Sequence, residues 1–343
     1  MYSYKPTDVD KHIFQTELDN FLPDKILDCH IHMWTNDIKL HFKPKAKGSS
    51  WVSLAVSELS AEDIIATHKE IYPGREVVPL VFGKTTCDIY EMNKYVEEKG
   101  KQYGFPTLYR SGHMQSGEEL EEEVKKGGFL GLKPYLSWRA PYIPVAETRI
   151  FDFLLPEHLE VANKNGWIVI LHIPRNERLR DKVNLAQLME IEEKYPNVKL
   201  VVAHVGRAYS KQDLGDAFDL LKNTKNMQFD FSANVCDDAI KACIEAVGTK
   251  RLMFGTDMPY ATMRMFRTTD PDTGFYFNNV PPGLYGEPFT DPHMKLSDRE
   301  DITTMLYEQL RAFKRVALDM KLKDSDVEDI MFNNAKNLID SCK

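Results

Sequence analysis

The segment Asp28-Cys29-His30-Ile31-His32 is the part of this chain best equipped for chemistry. On a strand, residues i and i+2 share a face, so His30 and His32 point together while Ile31 points away. Two imidazoles converging at a strand end can hold a divalent metal through neutral nitrogens. Alone, such a pair reads equally well as two histidines satisfied by ordinary hydrogen bonds. Three later residues alter the balance. His172 ends the run WIVILH, His204 ends LVVAH, and Asp257 ends LMFGTD. Each of these polar groups terminates an apolar run, where an unpaired buried imidazole or carboxylate would be costly.

These side chains need elements to position them. Short apolar runs recur at 26–32, 76–82, 105–113, 128–136, 167–173, 198–205, 227–233 and 251–257. Their lengths and β-branched or aromatic content predict strands. Amphipathic stretches between them predict helices. Ser60 stands three residues before Asp63, a variant of the capping box, and AIKACIEAVG ends at a glycine, as helices commonly do. Near-continuous apolar strands alternating with helices imply a parallel sheet covered on its faces. Eight such units point to an α/β fold, a closed (β/α)₈ barrel, in which catalytic residues ring the mouth at the strands' C-terminal ends. An open doubly wound sheet is the alternative, although no G-x-G-x-x-G follows the first strand.

The length of 343 residues exceeds the roughly 250 typical of that barrel and leaves room for additions. These are an N-terminal extension over 1–25, a long loop over 33–59 after the first strand, a lid-like loop over 264–297 after the eighth, and C-terminal helices over 298–343, all in one barrel domain. Long connections of this kind are usually functional. A net charge of −8 gives no electrostatic footprint for nucleic acid or an anionic membrane. The Lys43, Lys45, Lys47 run reads as a solvated loop. Five cysteines without a C-x-x-C argue against a disulfide framework and a thiolate zinc site. The polar N-terminus has no signal-peptide core, and no run of about 18 apolar residues exists to span a membrane. The expectation is a soluble, cytoplasmic protein.

With the motifs in order, D-x-H-x-H (28–32), His172, His204 and G-T-D-M-P (255–259), the chain resembles the amidohydrolase superfamily. In particular it resembles the amidohydrolase-related branch, which includes aminocarboxymuconate-semialdehyde decarboxylase-like enzymes, hydrolases and lactonases. The closing FNNAKNLI, with Asn334 and Ala335, is similar to that branch's C-terminal helix. The resemblance runs from residue 26 to 341. It implies that His30, His32, His172 and Asp257 bind one divalent metal, zinc in the first instance, with manganese, magnesium or iron as alternatives. It implies that His204 polarises substrate or moves a proton, and that Asp257 is also the general base. Two-metal members of the superfamily use a carboxylated lysine from the fourth strand, where Lys133 lies. One metal is usual in this branch, so Lys133 is expected to bind substrate or donate a hydrogen bond.

Tyr135 and Trp138 after the fourth run are candidate pocket residues, as are Arg207 and Arg264. Arg207 follows His204 within Val205-Gly206-Arg207, where the branch usually has small residues, so it either meets a substrate anion or solvates the rim. Loop arginines, Arg110 and Arg178 among them, would suit a carboxylate-bearing small-molecule substrate through bidentate bonds. His12, His41, His68, His158 and His293 carry no spacing signal and are expected at the surface. The leading expectation is a metal-dependent hydrolase of a small ester, lactone or amide. The alternative is a metal-dependent non-oxidative decarboxylase of an unsaturated or aromatic acid. A barrel that has lost catalysis is disfavoured by the complete set of ligand-type residues. Related enzymes are often dimers, which leaves a homodimer open here.

Overall fold

The computed structural model of the protein describes residues 4–41 and 56–342. The Lys43–Lys47 run and the middle of the first long loop lie outside them. Around the core run β1 (Lys25–Met33), β2 (Glu76–Gly83), an extended segment bridged at 107 and 109, β3 (Gly131–Leu132), β4 (Ile168–Leu171), β5 (Lys199–Val202), β6 (Gln228–Asp230) and β7 (Leu252–Met253). All neighbours are parallel. β1 pairs with β2, and β3 to β7 pair in sequence order. Bridges from Val81 to Thr107 and from Tyr109 to Leu132 join the two groups. The ring closes where Cys29 N donates to Phe254 O (3.1 Å) and Asp257 N to His30 O (2.8 Å). The eight sequence runs thus form the (β/α)₈ barrel.

Alternating side chains divide the core. Outward strand residues such as Ile26, Ile31, Val169 and Leu252 pack on the helices, while Leu27, Cys29, Leu80, Leu108, Ile168, Ile170, Val201 and Met253 fill the barrel interior. Ala335, Leu338 and Ile339 of the last helix (Asn334–Asp340) join that interior cluster and plug its lower end. Asn334 fastens this plug by donating to the carbonyls of Thr249 and Leu252, both at 2.8 Å. Ser60 and Asp63 form the reciprocal capping box that opens the helix Ala61–Ile71.

One feature of β1 breaks the simple alternation. Leu27 and Cys29 face inward, so an unbroken strand would turn His30 outward. Between Asp28 and Ile31 the register against β2 shifts by one residue, a β-bulge. The extra residue resets the pleat. His30 and His32 then face the interior, and Ile31 packs outside.

The stretch expected as a lid-like loop contains its own small sheet, β8 (Phe266–Thr269), β9 (Tyr276–Val280) and β10 (Met294–Leu296), with β8 and β9 antiparallel. Its aromatic and β-branched residues favour a pleated, half-buried surface. Met263 and Met265 pack beneath it with Val280 and Met294. No helix among the described residues is long and apolar enough to cross a membrane.

Candidate metal centre

Nearly every strand delivers a polar side chain to the mouth. β1 supplies His30 and His32, the bridged segment Arg110, β3 Lys133, β4 His172, β5 His204, β6 Asp230 and Ser232, and β7 Asp257. β2 alone ends on an apolar residue, Phe82. Its ring meets His30 and His32 edge-on at 5.1 and 4.8 Å.

His204 reaches the mouth by an unusual route. His204, Val205, Gly206 and Arg207 all have positive φ, between 48° and 61°. Such a conformation is costly for a β-branched residue. The turn carries His204 to the site while Val205 joins the outer core. At Gly206 a Cβ would lie 2.4 Å from Leu179, so the turn is also fixed by packing. Asp257 adopts φ 60°. Two residues before it, Gly255 lets the chain pass β1, since a Cβ there would lie 2.8 Å from that of His30.

The imidazoles share one orientation. His30 Nδ1 faces Asp230 Oδ2 at 3.0 Å, His32 Nδ1 faces the Gly83 carbonyl at 3.3 Å, and His204 Nδ1 faces the Ser232 carbonyl at 2.8 Å. An ionised carboxylate or a carbonyl can only accept, so each Nδ1 carries the proton and each Nε2 keeps its lone pair. Those Nε2 atoms converge on Asp257, at 3.5 Å from His30, 3.3 Å from His32 and 4.0 Å from His204. His30 Nε2 is buried without a hydrogen-bond partner. Asp230 is held in turn. Its Oδ1 accepts from the amides of His204 and Ser232, both at 3.0 Å, and from the Ser232 hydroxyl.

Burial pulls the His32 pKa down to about 4, and also lowers those of His172 and His204, so all three are neutral at pH 7. Burial alone would raise the Asp257 carboxyl. The hydrogen bond with His32 and the surrounding imidazoles outweigh it and hold the group below its ordinary value. For Asp230 too, burial acts upward, but the His30 imidazole and the Ser232 hydroxyl keep it far below the usual carboxylate range.

Two triads of ligand-type atoms lie within 4.8 Å of one another among the described residues: His30–His32–Asp257 and His30–His204–Asp230. The second is already closed by its own hydrogen bonds. The first offers an orphaned imidazole nitrogen, a second imidazole and a carboxylate, the donor set a divalent cation requires. The residues present fit a metal. Asp230 has the place of the carboxylate that orients a ligating histidine.

Other predicted residues are distributed unevenly. His172 meets His204 edge-on at 5.4 Å and Tyr135 at 5.0 Å, and its Nδ1 is buried without a partner. It belongs to neither triad. Lys133 is buried in the mouth, its ammonium 5.2 Å from the Phe82 ring centre and 5.7 Å from that of Tyr135. Arg207 donates to the carbonyls of Ile173, Pro174 and Arg175 and braces the loop behind His172. Trp138 is stacked on His41, with its indole nitrogen donating to Thr85 O. Arg264 requires correction as a pocket residue. It pairs with fully buried Asp10 at 2.6 Å and so ties the N-terminal helix Asp8–Ile13 to the barrel. His68 and His158 are buried rather than superficial; His68 lies 3.6 Å from Asp28.

Sequence reasoning passed over Asp230 and Ser232, although F-D-F-S places them two apart at the end of an apolar run, the same signal as His30 and His32. It also gave no role to Phe82.

The family model described as amidohydrolase matches residues 27–339. A curated dihydroorotase from Acetivibrio thermocellus is 24% identical over 195 residues, a stretch covering 52% of this chain but only 44% of that protein. A probable 2-pyrone-4,6-dicarboxylic acid hydrolase from Acinetobacter baumannii, solved with citric acid bound, superposes with a TM-score of 0.56 at 16% identity, covering 92% of this chain and 99% of that one. A dihydroxybenzoic acid decarboxylase from Polaromonas sp. JS666, solved with manganese and 2-nitroresorcinol, gives 0.54 at 15% identity, covering 94% and 98%.

Proposed function

Because the chain belongs to the amidohydrolase family, whose members include hydrolases and decarboxylases, we propose that it is a metal-dependent hydrolase of a small-molecule ester, lactone or amide. The observation that carries this reading is the shared tautomer of His30, His32 and His204, each with Nδ1 tied back and Nε2 turned to Asp257. His30, His32 and Asp257 would hold the metal, with His172 completing the set from β4. Zinc suits this mixture of imidazole and carboxylate; the manganese in the Polaromonas decarboxylase keeps that ion in view.

Bound there, a divalent metal polarises a carbonyl oxygen and acidifies water. The chain's own residues supply the rest. Asp257, ionised and ringed by neutral imidazoles, accepts the proton of the attacking water and returns it to the leaving group. His204, held by Ser232, presents Nε2 beside the reacting centre as a hydrogen-bond partner for the substrate. Asp230 fixes the His30 imidazole from behind and accepts from the backbone amide of His204. Phe82 covers the β2 side and keeps bulk water from His30 and His32.

A decarboxylase would use the same groups differently, with Asp257 or His204 delivering a proton to carbon. Incubating the enzyme in ¹⁸O-water with lactones, esters and amides, alongside aromatic and unsaturated carboxylic acids, separates the two. Label in the acid product, with no carbon dioxide, is the expected result. Carbon dioxide release without ¹⁸O incorporation would overturn hydrolysis in favour of decarboxylation.

A further inference from the structure

The side of the mouth between β2 and β4 holds two cations that the imidazole cluster does not use. Arg110 follows Leu108 on the inward face of its segment, and Lys133 follows Gly131 on β3. Each is 1% exposed. Arg110 Nη1 donates to the Lys133 carbonyl at 3.0 Å, but its Nε and Nη2 are buried with no hydrogen-bond partner. The Lys133 ammonium faces the rings of Phe82 and Tyr135, with the Asp257 and Asp230 carboxylates acting on it from beyond ion-pair distance, and the Arg110 guanidinium lies 5.7 Å from the same Tyr135 ring. Neither forms an ion pair among the described residues.

Cation–π contact offsets part of the desolvation of such charges. It does not supply the acceptors that buried N–H groups require. Burial pulls Lys133 to about 8, with Arg110 acting in the same direction and the Asp257 and Asp230 carboxylates only partly opposing it, and burial pulls Arg110 to about 10; both remain protonated at pH 7. Two adjacent buried cations without a counter-ion form a half-built site. Its shape is specific. Nε and Nη2 are the side edge of a guanidinium, the pair of parallel donors that matches the two oxygens of a carboxylate.

We infer that Arg110 and Lys133 form the seat of a non-reacting carboxylate on the substrate, so that the enzyme acts on a small carboxylic acid held by its anionic end between β2 and β4. Phe82, edge-on to His30 and His32 and beneath the Lys133 ammonium, separates the seat from the metal cluster and sets the spacing between anionic end and reacting carbonyl. Tyr135 forms the opposite wall. This rests on the proposed hydrolytic reading for the reaction, but not for the anion.

The test is the thermal stability of chelator-treated and metal-loaded protein in acetate, in its neutral isostere acetamide, and in bicarbonate, at fixed ionic strength, with metal content measured on the same samples. Acetate is expected to raise Tm by several degrees in both forms, and acetamide to leave it unchanged. Lys133→Met and Arg110→Lys are expected to abolish the acetate shift and weaken acetate binding at least tenfold by calorimetry. If Arg110→Lys does not fold, Lys133→Met decides, since no side-chain hydrogen bond is lost with it. An equal response to acetamide, an undiminished acetate shift in Lys133→Met, or a response to bicarbonate but not acetate would each overturn the seat. Stoichiometric metal without an acetate shift sinks the seat and leaves the enzyme reading standing; an acetate shift without any metal does the reverse.

Discussion

The two halves of the barrel mouth are finished to different degrees. On the side of β1 and β5 to β7, every imidazole nitrogen turned away from the centre is tied to an acceptor, and Asp230 is itself held by two amides and a hydroxyl. From the bridged segment to β4, by contrast, Arg110 Nε and Nη2 and His172 Nδ1 are buried without partners. The first half is preorganised for a small cation that stays. The second is left open for polar groups that arrive with a ligand. Preorganisation costs nothing at the moment of reaction, whereas unsatisfied buried groups reject any ligand that fails to complete them.

The strongest way to break this contrast is His30→Ala, which removes the orphaned nitrogen of the His30–His32–Asp257 triad. Loss of stoichiometric metal by elemental analysis is expected, with kcat/KM reduced by roughly 10³-fold or more; retained metal would place the centre elsewhere. Asp230→Asn tests the supporting layer. It should weaken metal binding by roughly 10- to 100-fold in a competition titration, because the amide no longer compels His30 to present Nε2. An unchanged affinity would reduce Asp230 to a packing residue.

Acid titration gives a third effect. His32 has a folded pKa of about 4 against an ordinary 6.5, so below 6.5 the unfolded chain takes up the proton first. Stability of the metal-free protein should therefore fall as pH drops from 6.5 towards 4, with His32 contributing up to about 3 kcal/mol. Chemical denaturation across that window checks it, and a flat profile would contradict the buried, neutral cluster. The smallest effect carries the opposite sign. Lys133→Met should stabilise the ligand-free protein by about 1 kcal/mol, since an unpaired buried charge gives way to an apolar chain of similar length. A loss of stability would mean that Lys133 is satisfied as it stands.

Much of this was legible in the sequence. Apolar runs ending in His172, His204 and Asp257 placed those groups at one mouth, because strand ends in a parallel barrel must converge. The β-bulge was not legible. The alternation of Leu27, Cys29 and Ile31 is that of an ordinary strand, and only pairing with β2 reveals the extra residue. Nor was the left-handed turn at His204–Arg207, since valine disfavours that conformation and tertiary packing imposes it. Arg264 was misplaced for a related reason. Its partner Asp10 lies 254 residues away, and charge pairing over that distance leaves no local pattern.

The bulge in β1 also makes that strand two independent modules. Below it, Leu27 and Cys29 obey the packing rules of the barrel interior; above it, His30 and His32 obey those of the site. Straightening the bulge, with no residue added or lost, would restore ordinary pleating and turn Ile31 inward while expelling both imidazoles. The lower strand would keep its register, its neighbours and its core. Mutational tolerance should therefore change abruptly at this one position, with hydrophobic exchange accepted beneath it and almost none above.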